Sequence, residues 1–469
     1  MSKIEQFAKN SVLYFVGQMA TRVISFVLLP LYSNRFAKEE YGYFDWANSI
    51  LLVAVSVICI ELWACILRFM YDDEDTQEKY KVITNGFFMI AGSMAVYSVA
   101  FLVLSNLVTV QYAPYIYIYG IITILQYVYG FVARGLHKNV AYMLSGTIAS
   151  TLILVTNIVL IVGFNMSVVT LFISGIIGGV AQIIILEVVV RNFKHMKWKY
   201  LDADLMKRML RFSLPLCVNT IAFWMLNSYG RIPILRELGM GANGVFAMAS
   251  RFTMILSMVV SVFTLAWQEL AFSLGNSEDR SVYYSKGLSL YVKFLGCGIL
   301  MLLPATQLAF AFINENYSEA LVIIPVFYVG TMASSISAFL GNIFGAEKKT
   351  KTIMISTGVA ALVNVIVIEL TIGQIGLLSV TIALFLGFLA DICIRLVMLK
   401  RITALKVELK FLWVLILLYM AVTYVFYKGT YVVNVIAFVG TLIFSVWTFR
   451  DIVKLFLGKI KEILSKSKK

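Results

Sequence analysis

Stretches of about 20 apolar residues recur along this chain, separated by short polar loops. A 20-residue helix rises about 30 Å, the thickness of a bilayer's hydrocarbon core. In lipid every backbone N–H and C=O must find its partner within the chain, so runs of this kind can only be helices. The spacing predicts about fourteen of them. Six cover 11–33, 44–70, 82–108, 115–134, 141–162 and 168–190. Six more cover 212–235, 245–274, 282–313, 320–344, 352–372 and 375–399, and two lie at 411–427 and 431–448. Composition agrees: 61% of the 469 residues are hydrophobic and 14% charged, against about 25% charged in an average soluble domain. An all-α polytopic membrane protein follows, with no room for a large soluble domain.

A net charge of +14 suggests nucleic acid until the basic residues are placed. They gather in alternate loops such as RGLHKN, AEKKTK and LKRITALKVELK, while TVQYAP, GFNMS and TIGQIG carry no charge. With a cytoplasmic N-terminus, roughly 30 of the 39 Lys and Arg fall on the cytoplasmic side. That is the positive-inside pattern, and it predicts that both termini are cytoplasmic. The N-terminal stretch has no cleavage site, so its first span is expected to stay as an anchor. The segment 450–469 spaces apolar residues helically with lysines opposite, as an amphipathic helix on an anionic membrane surface does. Five cysteines lie inside apolar runs without metal-ligand spacing, and His137 and His195 form no cluster. Neither a metal nor a cofactor is expected.

The chain also repeats itself. YSNRFAKEEYGYF from Tyr32 aligns with LRELGMGANGVF from Leu235, which sets Pro30 on Pro233 and, across a one-residue gap, Gly42 on Gly244. Lys138, Thr147, Leu152 and Gly163 match Lys348, Thr357, Leu362 and Gly373 farther along. The expected organisation is an N-terminal lobe over 1–200, a C-terminal lobe over 201–404, two additional helices over 405–449 and the tail over 450–469. Six helices per repeat insert in the same sense, which predicts a pseudo-twofold axis along the membrane normal and a cavity between two bundles.

Charges inside the spans are costly, about 2.5–3.5 kcal/mol each at the helix centre. Arg22 sits ~18 Å into the first helix. Arg251 lies in the eighth, Arg231 toward the outer end of the seventh, and Lys293 near the midplane of the ninth. Glu61, Arg68 and Asp391 occupy inner halves, with Arg395 one turn beyond Asp391. Each has a bland alternative. Arg68 and Arg231 can snorkel to an interface. Glu61 is either a proton-exchanging carboxylate or the ion-pair partner of Arg22 or Arg68. Asp391 is either a coupling site or half of an i,i+4 pair with Arg395.

The opening NSVLYFVGQMATRVISFVLLPLYSNRFAKEEYGYF resembles the bacterial polysaccharide flippases, the Wzx-type O-antigen transporters of the multidrug/oligosaccharidyl-lipid/polysaccharide exporter superfamily. RFSLPLCVNTIAFWMLNSYGRIPILRELGMGANGVFAMA and KKTKTIMISTGVAALVNVIVIELTIGQIGLLSV are similar to it as well, so the likeness runs from about residue 10 to residue 401. It implies a MATE-like fold whose first, second, seventh and eighth helices line a cavity. It also implies translocation of an undecaprenyl-pyrophosphate-linked oligosaccharide between leaflets of the bacterial cytoplasmic membrane by alternating access, without an enzymatic step. A glycan polymerase and a chain-length regulator would be partners. On this reading Arg22, Arg251, Arg231 and Arg68 face a diphosphate or acidic glycan, because guanidinium stays charged and grips phosphate oxygens in pairs. Glu61 and Asp391 are the candidates for ion or proton coupling. One departure stands out: Gly230-Arg231 stands where the family often carries Asp-Arg. A multidrug exporter is the alternative within transport. A membrane glycan polymerase or ligase is the alternative outside it, although the short outward loops leave little space for such chemistry.

Overall fold

The computed structural model describes residues 26–71, 75–274, 280–347, 349–403 and 409–450. Among them every regular element is a helix, and twelve helices are long and apolar enough to cross a membrane. Most of the expected first span, with Arg22, and the tail beyond Arg450 lie outside the described residues. The chain is thus an all-α, multi-pass membrane protein.

The described residues fall into two compact units, one of Met1–Met248 with Ile368–Gly376 and the other of Ala249–Val367 with Leu377–Lys469. In the first unit the helices are α1 (Leu29–Arg35), α2 (Lys38–Ile58), α3 (Leu62–Met70), α4 (Thr76–Leu107), α5 (Ala113–Gly135), α6 (Asn139–Ile158), α7 (Val169–Val190), α8 (Ala203–Ser228) and α9 (Arg231–Leu238). The start of α10 (Met240–Leu274) belongs here too. Helix α7 lies along both α5 and α6, and α3 packs on α4 and α5. Their shared core includes Val55, Cys59, Ile66, Ile124, Val132 and Phe172, all closed to solvent.

The second unit holds the rest of α10, then α11 (Arg280–Ala309), α12 (Ala320–Ala346), most of α13 (Thr350–Ile375), α14 (Leu377–Thr403), α15 (Leu409–Lys428) and α16 (Tyr431–Thr448). α12 runs against α14, while α11 packs on α15 and α16. Aromatic rings fill the space: Trp267 stacks on Phe339 at 4.2 Å and Tyr291 on Phe339 at 4.9 Å. The Tyr328 hydroxyl, buried there, shares a 2.7 Å hydrogen bond with Thr306.

Both units show the exposure pattern of a protein dissolved in lipid. Val99, Leu102, Leu362, Leu370 and Ile436 are each at least 60% exposed, whereas Asn85, Asn157 and Ser145 are buried. Buried hydroxyls bend back onto their own helix, as Thr84 does to the Tyr80 carbonyl and Ser150 to that of Gly146.

The expected second span, 44–70, is broken. α2 ends where the Glu61 N–H bonds the Ser56 carbonyl and the Ile60 N–H bonds that of Val57, the pairing that closes a helix at a left-handed residue. That place normally goes to glycine. Here Ile60 (φ 49°) and then Glu61 (φ 54°) both take the left-handed conformation, which costs about 1–3 kcal/mol per residue. α3 restarts at Leu62.

Candidate functional site

The break sets Glu61, half-buried, between α2, which is long and apolar enough to cross a membrane, and the short α3. Cys59, Tyr127 of α5 and Cys217 of α8 lie within electrostatic reach of its carboxyl group. Among the described residues it makes no ion pair. Next to it the Trp63 ring is buried and stacks on Tyr127, centroids 4.8 Å apart. Arg68, a turn and a half on, is exposed.

The second arrangement lies where the α1–α2 and α9–α10 turns meet. A Cβ on Gly42 would run into the Met240 carbonyl and come within 2.6 Å of the Gly244 nitrogen. One on Gly244 would run into the Lys38 carbonyl. Since Gly42 and Gly244 are equivalent in the repeat, Lys38 and Met240 are equivalent as well. The two contacts are therefore images of each other, as at the centre of a two-fold interface. The Asn243 amide closes the junction by donating to the Gly42 carbonyl at 2.7 Å.

One turn beyond this contact, Arg231 Nε meets Asp45 Oδ2 at 2.6 Å, with side chains 12% and 7% exposed. The guanidinium also lies 5.4 Å from the centroid of Phe246 and donates to the Asn227 carbonyl at 3.4 Å. Trp224 Nε1 donates to the Ser49 carbonyl at 3.3 Å, which ties α8 to α2 as Arg231 ties α9 to it. A surface layer completes the junction: Glu369 of α13 accepts from Arg236 Nη2 at 2.6 Å and from the Tyr229 hydroxyl at 2.7 Å. The Glu369 and Glu237 carboxylates hold the Arg236 guanidinium above its already high pKa.

Asp45 and Glu369 escaped the sequence reading. An acid is missing beside Arg231 in sequence, where Gly230 stands, and Asp45 supplies one from 186 positions away. A carboxylate just inside an apolar run was the available signal.

The remaining candidates are dispersed. Arg22 lies outside the described residues. Arg251, half-buried on α10, approaches the Met254 sulfur at 3.9 Å. Asp391 and Arg395 form their intrahelical pair at 3.0 Å, with side chains only 1% and 4% exposed. Ser337 donates to Asp391, and Arg395 donates to Ser356 and Thr357 at 3.0 Å each. Lys293 lies over the Phe411 ring at 5.5 Å. No group of three or more His, Cys, Asp or Glu that could hold a metal occurs among the described residues.

This chain superposes on a structure described as the lipid II flippase MurJ, inward closed conformation, with a TM-score of 0.70 at 14% identity over 94% of this chain and 100% of that one. A multidrug resistance MATE family transporter of the MOP superfamily, inward-facing, gives 0.65 at 15% identity over 84% and 95%. A protein of the Lsg locus of Haemophilus influenzae is 30% identical over 63 residues, and the chain spans only 16% of that relative's length. The chain has the fold of these MOP-superfamily structures, built from helices long and apolar enough to cross a membrane. A family model described as "Polysaccharide biosynthesis protein" matches residues 7–268, more than half of the chain. The chain belongs to that family.

Proposed function

We propose that this protein moves an undecaprenyl-pyrophosphate-linked oligosaccharide, the repeat unit of a surface polysaccharide, from the inner to the outer leaflet of the bacterial cytoplasmic membrane. The polysaccharide family supports the glycan, and the shared fold of a lipid II flippase supports a polyprenyl-linked cargo. The observation that carries the mechanism is the junction of Gly42, Gly244 and the Asp45–Arg231 pair. By the positive-inside pattern this junction lies at the outer surface, both termini being cytoplasmic. It is a closed outer gate. Its contacts are two glycine faces, the side-chain hydrogen bonds of Asn243, Trp224 and Tyr229, and the ion pairs Asp45–Arg231 and Glu369–Arg236, few enough to separate and re-form in each cycle.

Two lobes of six helices, related by the repeat, would rock about this junction while two further helices and the basic tail stay at the membrane. Arg22 and Arg251 would carry the diphosphate into the bilayer interior. Arg68 would meet it at the inner mouth. Arg231 is engaged by Asp45 while the gate is closed and is released toward the anionic cargo when it opens. With Asp391 held by Arg395, coupling falls to Glu61, set in a strained break within its span. A polymerase and a chain-length regulator would consume the delivered unit.

Complementation tests the reading. In the source species or a close relative lacking its own repeat-unit flippase, wild type should restore polymerised surface glycan. Arg22→Ala should lose it, and Arg22→Lys should recover part of it. No rescue by well-expressed wild type would refute the reading. Full activity of Arg22→Ala would move the anion site elsewhere.

A further inference from the structure

A cavity of about 300 Å³ opens in the first unit among α2, α5, α6 and α7, around Tyr119, Gln126, Tyr127, Phe131, Tyr142 and Gln182. It lies along α5, one of the helices long and apolar enough to cross a membrane. Four aromatic rings and two amides dominate its lining, which Leu52, Thr123 and Gly130 complete, an unusual set among membrane-spanning helices. Gln126 Nε2 donates to Gln182 Oε1 at 2.9 Å, bridging α5 and α7. That bond uses one donor of Gln126 and the acceptor of Gln182, which leaves each amide with further hydrogen-bonding groups.

The rings are held in place. Tyr127, 37% exposed, is backed by Trp63 and lies in the field of Glu61. The Arg134 guanidinium lies 5.1 Å from the Phe131 centroid and 6.0 Å from that of Tyr142. Glycines make the room: a Cβ on Gly130 would come within 2.9 Å of the Tyr142 ring, and one on Gly179 within 3.0 Å of the Gln126 amide.

Flat aromatic faces beside amides with spare donors and acceptors match the two surfaces of a pyranose. Its axial C–H face is apolar, and its equatorial hydroxyls offer adjacent donors and acceptors. The volume is at the lower end for small-ligand pockets, enough for one or two rings. From this we infer that the cavity is a subsite for a neutral glycosyl residue of the cargo, separate from the arginines that meet its phosphates. The inference rests on the flippase reading for the identity of the cargo and on the cavity for the sugar. A helix-bridging Gln–Gln bond alone would explain the amides but not the four rings around them.

The test uses the full chain in nanodiscs and saturation-transfer NMR with methyl glucopyranoside, methyl galactopyranoside and methyl N-acetylglucosaminide as probes. At least one pyranoside should receive saturation on its ring protons. Gln126→Leu/Gln182→Leu, close in volume, should reduce that transfer about tenfold, the equivalent of about 1.4 kcal/mol. Tyr127→Leu should do the same and Tyr127→Phe should retain it, each variant showing wild-type elution and melting. Absence of transfer to all three probes with wild type would overturn the inference, as would transfer unchanged in the folded double variant. In the complementation strain, failure of wild type counts against the flippase reading while the NMR result still judges the cavity. Rescue by wild type with unchanged NMR in the double variant would overturn the subsite and leave the flippase.

Discussion

Two buried aspartate–arginine pairs occur among the described residues, and they are built in opposite ways. Asp391 and Arg395 are one turn apart on α14, wrapped by Ser337, Ser356 and Thr357. No motion of helices can part them, because one helix carries both. Asp45 and Arg231 come from separate helices 186 positions apart, with one further carbonyl and one ring around the guanidinium. That pair can be parted by moving α9 away from α2. Burial of charge therefore does not mark function by itself. A pair that spans two elements and is thinly supported is the one placed to switch.

The sharpest way to break the contrast is to remove one charge from the wrapped pair. Arg395→Met strands a carboxylate that is 1% exposed, a change worth about 3–5 kcal/mol of stability. Fluorescence-detected size exclusion after heating should show a large loss of folded protein. The double replacement Asp391→Leu/Arg395→Met should recover most of it, since a buried pair exchanged for apolar groups is often neutral or better. If transport fails in a stable double variant, Asp391 is a coupling residue and the contrast collapses.

Next in size is the separable pair. Asp45→Asn keeps volume but loses the charge that holds Arg231. It should weaken the closed junction by several kcal/mol and leave the fold standing, because part of the cost is relieved once Arg231 is free to reach water. The expected readouts are reduced surface glycan and faster labelling of a cysteine placed at Asn227, in a background free of the five native thiols. Gly244→Ala should act in the same direction by pressing a methyl group into the Lys38 carbonyl. Gly42→Ala should mimic it, the two sites being images in the repeat.

Much of the fold was legible in the chain. Apolar runs mark most of the spans from 82–108 onward, since each helix must cover the bilayer and loops must leave it, but the run at 212–235 misses its helix, Ala203–Ser228, by about two turns at each end. The repeat alignment of Gly42 with Gly244 also located the later contact, although nothing in one dimension says that equivalent positions touch. The break at Ile60–Glu61 was not legible: neither residue is glycine or proline, and the strain is borne by packing of Cys59, Leu62 and Trp63 in the core. The same holds for Asp45, whose meaning depends on an arginine in the other half. At the site, single charges could be counted from sequence, but their partners could not.

The smallest expected effect is at the surface layer of the same junction. Arg236 is 53% exposed and Glu369 33%, against 12% and 7% for Arg231 and Asp45. Water and salt screen the outer pair, and two long side chains lose freedom to make it. Glu369→Gln should keep the Tyr229 hydrogen bond, because a glutamine carbonyl accepts as a carboxylate does. Melting and glycan export should both stay at wild-type level, in high salt and low. A loss of export with unchanged melting would mean that the outer layer, and not the Asp45–Arg231 pair beneath it, decides when the junction opens. The switch would then have to be sought in Arg236, which pairs with Glu369 and with Glu237 on its own helix at once and keeps the second when the first is lost.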